Sequence, residues 1–276
     1  MGNFTTEDGT RLYFKDWGSG VPVVFTHSWS LSSEMWNYQM THLADQGLRC
    51  IAYDRRGHGR SEQPWDGYDF DTLSDDLAAL MDHLDLTEVA LVGHSTGTGE
   101  IARYLTRHGS ERVAKVVLVS TLTPLLRQSE EYPEGVPGSV FDDMRTQIGR
   151  DLPGWVDAIA GPFFGEGTPG VELSQSLVDW SVWDTRAVSV RAMLALSRTM
   201  SETDFREELA HVTVPTLVIH GGADAFNPVE LCGRGTAKLI PGSVLKVYDD
   251  GPHGLHLTHM GQLGADLLEF ITQPAE

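Results

Sequence analysis

Short β-branched runs alternating with helical periodicity predict an α/β fold: a mostly parallel eight-stranded sheet with helices on both faces and a helical cap insertion. The first observation is the strands themselves, a start near Phe4 and then runs at 11–16, 21–26, 49–54, 89–92, 113–120, 216–220 and 244–248. The second is the helical stripe between them. Leu73, Leu77, Leu80, Met81 and Leu84 recur at i, i+4, i+7, i+8 and i+11, with Asp71 and Thr72 as suitable N-caps. Leu263, Leu267, Phe270 and Ile271 give a final helix the same kind of buried face. The third is an interruption. From about Leu122 to Phe205 the alternation fails, with turn-rich clusters at 132–138 and 161–170 between helical pieces. The chain therefore divides into a core first part (1–121), a helical cap insertion (122–205) and a core second part (206–276). A cap there lies over the carboxyl edge of the sheet, where open α/β sheets bind ligands.

Bulk composition sets the outer bounds. A chain of 276 residues, 41% hydrophobic and 21% charged, can bury a sizeable core and is not disordered in bulk. No apolar run approaches the roughly 18 residues of a membrane span, and the N-terminus lacks the basic and apolar regions of a secretory signal. Met1-Gly2-Asn3-Phe4-Thr5-Thr6 fits the loose N-myristoylation pattern, but Phe4 already begins a strand. Two cysteines, Cys50 and Cys232, exclude a disulfide framework. Cys50 sits in an apolar strand as a buried, inert thiol, and a cytoplasmic location fits. The formal charge of −19, from 20 basic and 39 acidic residues, argues against nucleic-acid binding, since no basic stripe offsets it. The expected partner is a small-molecule acyl substrate, with a homo-oligomer possible.

The chemistry begins at Gly93-His94-Ser95-Thr96-Gly97, a G-x-S-x-G motif between the strand end Leu91-Val92 and the helical run 100–105. A strand–serine–helix turn strains the backbone at the serine and crowds its i−2 and i+2 neighbours, so only small residues fit. The helix that follows aims N–H groups at developing negative charge. A serine nucleophile needs a base, and the base an orienting acid, on loops after later strands. The strand 216–220 is followed by Asp224, and the strand 244–248 by His253. Asp249 and Asp250 rival Asp224 as the acid, but they share the base's own loop. His256 and His259 could suggest a metal with His253, yet the carboxylates zinc would want are missing, and neither metal nor cofactor is expected. The oxyanion hole is expected to use the N–H of Thr96 and a donor after the strand 21–26, for which Trp29 is the candidate.

The sequence resembles the cofactor-free haloperoxidase branch of the α/β-hydrolases, which includes small arylesterases, perhydrolases and some γ-lactamases. The resemblance runs nearly end to end, through Phe14-Lys15-Asp16-Trp17-Gly18-Ser19-Gly20, Asp54-Arg55-Arg56-Gly57-His58-Gly59-Arg60-Ser61, Ala102-Arg103-Tyr104, Arg112-Val113-Ala114-Lys115, Glu202-Thr203-Asp204-Phe205 and Pro252-His253-Gly254. It implies an α/β-hydrolase fold, the triad Ser95–His253–Asp224, and oxyanion donors at Trp29 and Thr96. Three positions depart from it. His27-Ser28 stands where His-Gly is usual, Ser30 where perhydrolases often carry Pro, and His94 where Phe is common.

Hydrolysis of a small carboxylic ester through an acyl-enzyme is the leading expectation. Perhydrolysis or lactone and lactam cleavage with the same triad is the alternative, and a non-catalytic small-ligand receptor a third. Ser28 and the cap aromatics Phe141, Phe163, Phe164 and Trp183 are the expected pocket residues, with ordinary core packing as the bland reading of each aromatic.

Overall fold

The computed structural model describes residues 1–274. Its eight strands are β1 (Gly2–Thr5), β2 (Arg11–Gly18), β3 (Pro22–Thr26), β4 (Arg49–Tyr53), β5 (Val89–His94), β6 (Val113–Val119), β7 (Thr216–Gly221) and β8 (Val244–Tyr248). They form one sheet in the order β1-β2-β4-β3-β5-β6-β7-β8. β1 and β2 pair antiparallel at one edge, and every pairing from β3 with β4 onward is parallel. The central strand β5 is buried along its whole length, as expected of a strand covered on both faces.

Eleven α-helices and a short 3-10 helix (Ser33–Trp36) complete the described residues: α1 (Asn37–Asp45), α2 (Phe70–His83), α3 (Thr96–His108), α4 (Gly138–Arg150), α5 (Leu152–Phe163), α6 (Gln175–Thr185), α7 (Val190–Glu202), α8 (Arg206–Ala210), α9 (Gly233–Leu239), α10 (Leu255–Thr258) and α11 (Met260–Thr272). The two-residue period of the strands sends alternate side chains to two cores. Val24, Ile51 and Leu91 face α2 and α3, while Val23, Phe25, Cys50 and Val92 face α1 and α11. Burying Leu263, Leu267 and Ile271 of α11 in the second core is worth about 1.5–3 kcal/mol each. Cys50 is buried as expected, and burial pushes its thiol up to about 12.

Two local details differ from expectation. α2 begins at Phe70, two residues earlier than a cap at Asp71 would allow, because the Asp69 carboxylate accepts the Thr72 N–H at 2.9 Å. Asp71 instead sits inside the first turn, where its charge meets the positive end of the helix. At the N-terminus, Gly2 through Thr5 pair with Phe14 through Arg11.

Between β6 and β7 the chain leaves the sheet and builds α4 to α7 before α8 returns it. Polar contacts fasten this segment to the core. Asp184 of α6 accepts both the N–H and the hydroxyl of Ser32, at 2.8 and 2.6 Å. The indole N–H of Trp29 donates to Met193 O, and Ser189 N–H to Gly57 O. No described helix is long and apolar enough to cross a membrane.

Candidate active site

Ser95 stands at the end of β5, where the chain turns into α3 with φ 51° and ψ −111°. A non-glycine residue holds such angles only where its surroundings dictate them. The flanking glycines are sterically required. A Cβ on Gly93 would lie 2.7 Å from Gly97 O, and one on Gly97 would lie 2.6 Å from Thr26 O. Ser95 N–H is consumed by Val119 O at 3.0 Å, which locks the turn to β6.

His253 follows β8 and Asp224 follows β7, and the structure joins them by a 2.7 Å contact from His253 Nδ1 to Asp224 Oδ2. That contact leaves Nε2 for the cavity that Ser95 also lines. No hydrogen bond of 3.5 Å or less joins the Ser95 hydroxyl to His253, a looseness common until substrate aligns such a pair. The other Asp224 oxygen accepts the N–H groups of Phe226 and Asn227 at 2.9 and 2.8 Å. Burial alone would favour the neutral acid, but His253, its hydrogen bond, His220 and the Asn227 N–H outweigh it and lower the pKa of Asp224. The rival Asp250 points away, to His259 at 3.2 Å.

The expected oxyanion donors flank the same cavity. The N–H of Thr96 opens α3, and neither it nor the N–H of Trp29 is spent on a backbone hydrogen bond among the described residues. Ser28 and Trp29 both line the cavity.

Of the expected pocket aromatics, Phe141 and Phe163 line this cavity of about 110 Å³. Phe164 does not. It is buried against a smaller neighbouring cavity with Leu31 and Val182. Trp183 is a clear correction, being 64% exposed. Ser181, Asp184 and Thr185 occupy the inward face of α6, so the helical period turns residue 183 outward. The sequence reading missed most of the wall: Leu122, Leu126, Met144, Trp155, Ile159 and Met200, with Phe226 and Asn227 from the loop carrying Asp224. No charged side chain faces the cavity apart from His253 when protonated.

The remaining histidines are accounted for by packing. His256 is fully buried, and burial followed by the nearby His253 depresses it to about 3. Its ring packs near His94 and Phe164. His94, the departure from Phe, places Nε2 2.9 Å from His253 O, a carbonyl that also accepts from Ser120 Oγ. Sequence reasoning gave no role to His220, whose Nε2 lies 3.5 Å from Asp224 Oδ2 and 2.8 Å from Asn227 O. Among the described residues no cluster of three or more His, Cys, Asp or Glu could hold a metal ion.

A family model described as the alpha/beta hydrolase fold matches residues 21–260. A non-heme haloperoxidase from Rhodococcus erythropolis is 42% identical over 97% of this chain and 98% of its own. A bifunctional esterase/perhydrolase from Acinetobacter calcoaceticus is 41% identical over 98% of this chain and 99% of its own. A bromoperoxidase from Bacillus anthracis superposes with a TM-score of 0.93 at 37% identity, covering 99% of this chain and 100% of the other.

Proposed function

This chain belongs to the α/β-hydrolase fold family, and on that premise we propose that it hydrolyses small carboxylic esters through an acyl-enzyme on Ser95. The observation that carries the reading is a strained serine facing the same apolar cavity as an imidazole held at 2.7 Å by a buried carboxylate. Ser95 Oγ attacks the ester carbonyl while His253 Nε2 takes its proton, and Asp224 keeps Nδ1 protonated and stabilises the imidazolium. The negative oxygen that forms is met by the N–H groups of Trp29 and Thr96. His253 then protonates the departing alcohol and activates water for deacylation. A cavity of about 110 Å³ is smaller than the roughly 150 Å³ that encloses a benzene ring, so a short acyl group suits it. The absence of lining cations favours neutral substrates.

Perhydrolysis is the second reading, favoured by the esterase/perhydrolase relative. Hydrogen peroxide would replace water at deacylation, releasing a peracid and restoring the serine hydroxyl. Ser30 lines the cavity where Pro is often found in perhydrolases, which sets this reading behind hydrolysis.

Turnover of short p-nitrophenyl esters by the parent and by Ser95→Ala tests the proposal. The variant is expected to fold normally and to lose on the order of 10⁶ in kcat. Retention of more than about a hundredth of the parent rate would overturn the nucleophile, since even the mildest triad removal costs about 10⁴. An inactive parent would leave a ligand receptor. Peroxide-dependent bromination in acetate buffer separates the second reading.

A further inference from the structure

Beneath the cavity lies a buried ion pair that the reaction above does not use. Arg55, just after β4, and Glu100, in the second turn of α3, are both essentially without solvent exposure. Arg55 Nε and Nη2 both donate to Glu100 Oε2, at 3.1 and 2.8 Å. A buried ion pair contributes little net stability. This one also leaves Glu100 Oε1 without a partner, which adds cost. What the pair touches points to a different purpose.

Arg55 Nη2 donates to the carbonyl of His27 at 2.8 Å, and Nη1 reaches the carbonyl of Ser28 at 3.4 Å. The Arg55 backbone N–H donates to His27 Nε2 at 2.9 Å. Nε2 is therefore an acceptor, and the proton of the neutral ring sits on Nδ1, which donates to Ser28 O at 2.7 Å. His58, from the Arg55 loop, meets the next carbonyl, Trp29 O, with Nε2 at 2.5 Å. Two successive carbonyls, those of His27 and Ser28, thus accept from Arg55 and His27, and the ring of His58 lies against the third.

The consequence follows from peptide planarity. Ser28 C=O and Trp29 N–H belong to one trans peptide unit and point in opposite directions. Holding the carbonyl toward His27 and Arg55 turns the Trp29 N–H the other way, and Trp29 lines the cavity. Glu100 rides on the helix whose first residue, Thr96, offers the second N–H. We propose that Arg55 and Glu100 are positioning residues that set the two oxyanion donors relative to one another, through His27 on one side and α3 on the other. A single guanidinium spans the two halves of the hole. This inference rests on the proposed acyl transfer at Ser95.

The test compares the parent with Arg55→Met/Glu100→Met and with Arg55→Lys. Breaking one partner alone would strand a buried charge, whereas replacing both with apolar residues of similar length commonly preserves stability. The double variant is expected to melt near the parent, to lose about tenfold or more in kcat on an acetate ester, and to keep KM within about threefold. That is a partial loss beside the 10²–10³ of deleting a donor. Arg55→Lys keeps the charge beside Glu100 but cannot also span both carbonyls, and a similar selective fall in kcat is expected. Reaction with a fluorophosphonate should slow in parallel, because it too builds negative charge on an oxygen in the hole. A stably folded double variant with kcat and labelling rate within twofold of the parent would overturn the inference. If the double variant does not fold, the same comparison on Arg55→Lys decides it. Failure of the underlying reading would look different: the parent itself would not be labelled at Ser95.

Discussion

The loops at the ends of β3, β4 and β5 and the helical segment between β6 and β7 face the same cavity, but they are built by different means. In the core loops several polar groups near the site are held by other buried groups. Arg55 grips two carbonyls and Glu100, Asp54 accepts the N–H of Ser33 at 2.9 Å, and Gly97 presses against Thr26. The segment α4 to α7, though fastened to the core by a few polar contacts, presents the apolar side chains of Phe141, Met144, Trp155 and Ile159 to the cavity. Hydrogen-bonded backbone can place a donor to a fraction of an ångström, as transition-state binding demands. Apolar packing tolerates exchange of side chains at similar volume. The core loops are thus expected to govern the rate of the chemical step, and the inserted helices the choice of substrate.

Substitutions sharpen this division. The largest effect is expected in the core. Asp224→Asn should lower kcat on the order of 10⁴ by allowing His253 the wrong tautomer, with KM little changed. Greater damage from Asp249→Asn or Asp250→Asn, read by the same steady-state kinetics, would reassign the acid. A cap substitution should behave otherwise. Met144→Ala removes part of the apolar wall and widens the cavity, so KM for short acyl esters is expected to rise up to about tenfold while kcat changes little. A fall in kcat comparable to that of Asp224→Asn would erase the distinction. Ser28 lies where the two regions meet, with its N–H toward Met35 Sδ and its side chain in the cavity. With backbone donors expected to supply the hole, the Ser28 side chain is expected to act as a steric filter. Ser28→Gly is expected to hold kcat on acetate esters within about tenfold and to admit bulkier alcohols. A hundredfold loss at normal folding would make its hydroxyl a donor to the transition state.

The same contrast explains how much could be read without coordinates. The elbow was legible because its constraint is local: strand, two glycines, serine and helix lie within a few residues. The loops bearing Asp224 and His253 were legible because parallel strands put their C-terminal loops at one edge. The start of α2 was off by two or three residues because Asp69, the cap the structure uses, stands close to Asp71 and Thr72, which have equally suitable side chains. The inserted helices were harder. α6 carries apolar residues on several faces, so Trp183 could not be told from an inward residue until Asp184 was seen fastened to Ser32. Leu122, Met144 and Met200 carry no mark of a pocket in the sequence, since the cavity exists only where α4, α5 and α7 converge. Glu100 entered only as the start of the helical run 100–105, and nothing short of the packed sheet shows it facing Arg55.

The most direct test of the account is to trap its covalent intermediate. The parent enzyme, mixed with p-nitrophenyl acetate and quenched in acid within the first turnovers, should yield one acetylated peptide by mass spectrometry, the one containing Ser95. The signal should vanish in Ser95→Ala. An acetyl group on another residue, or rapid hydrolysis that persists in Ser95→Ala, would contradict the account.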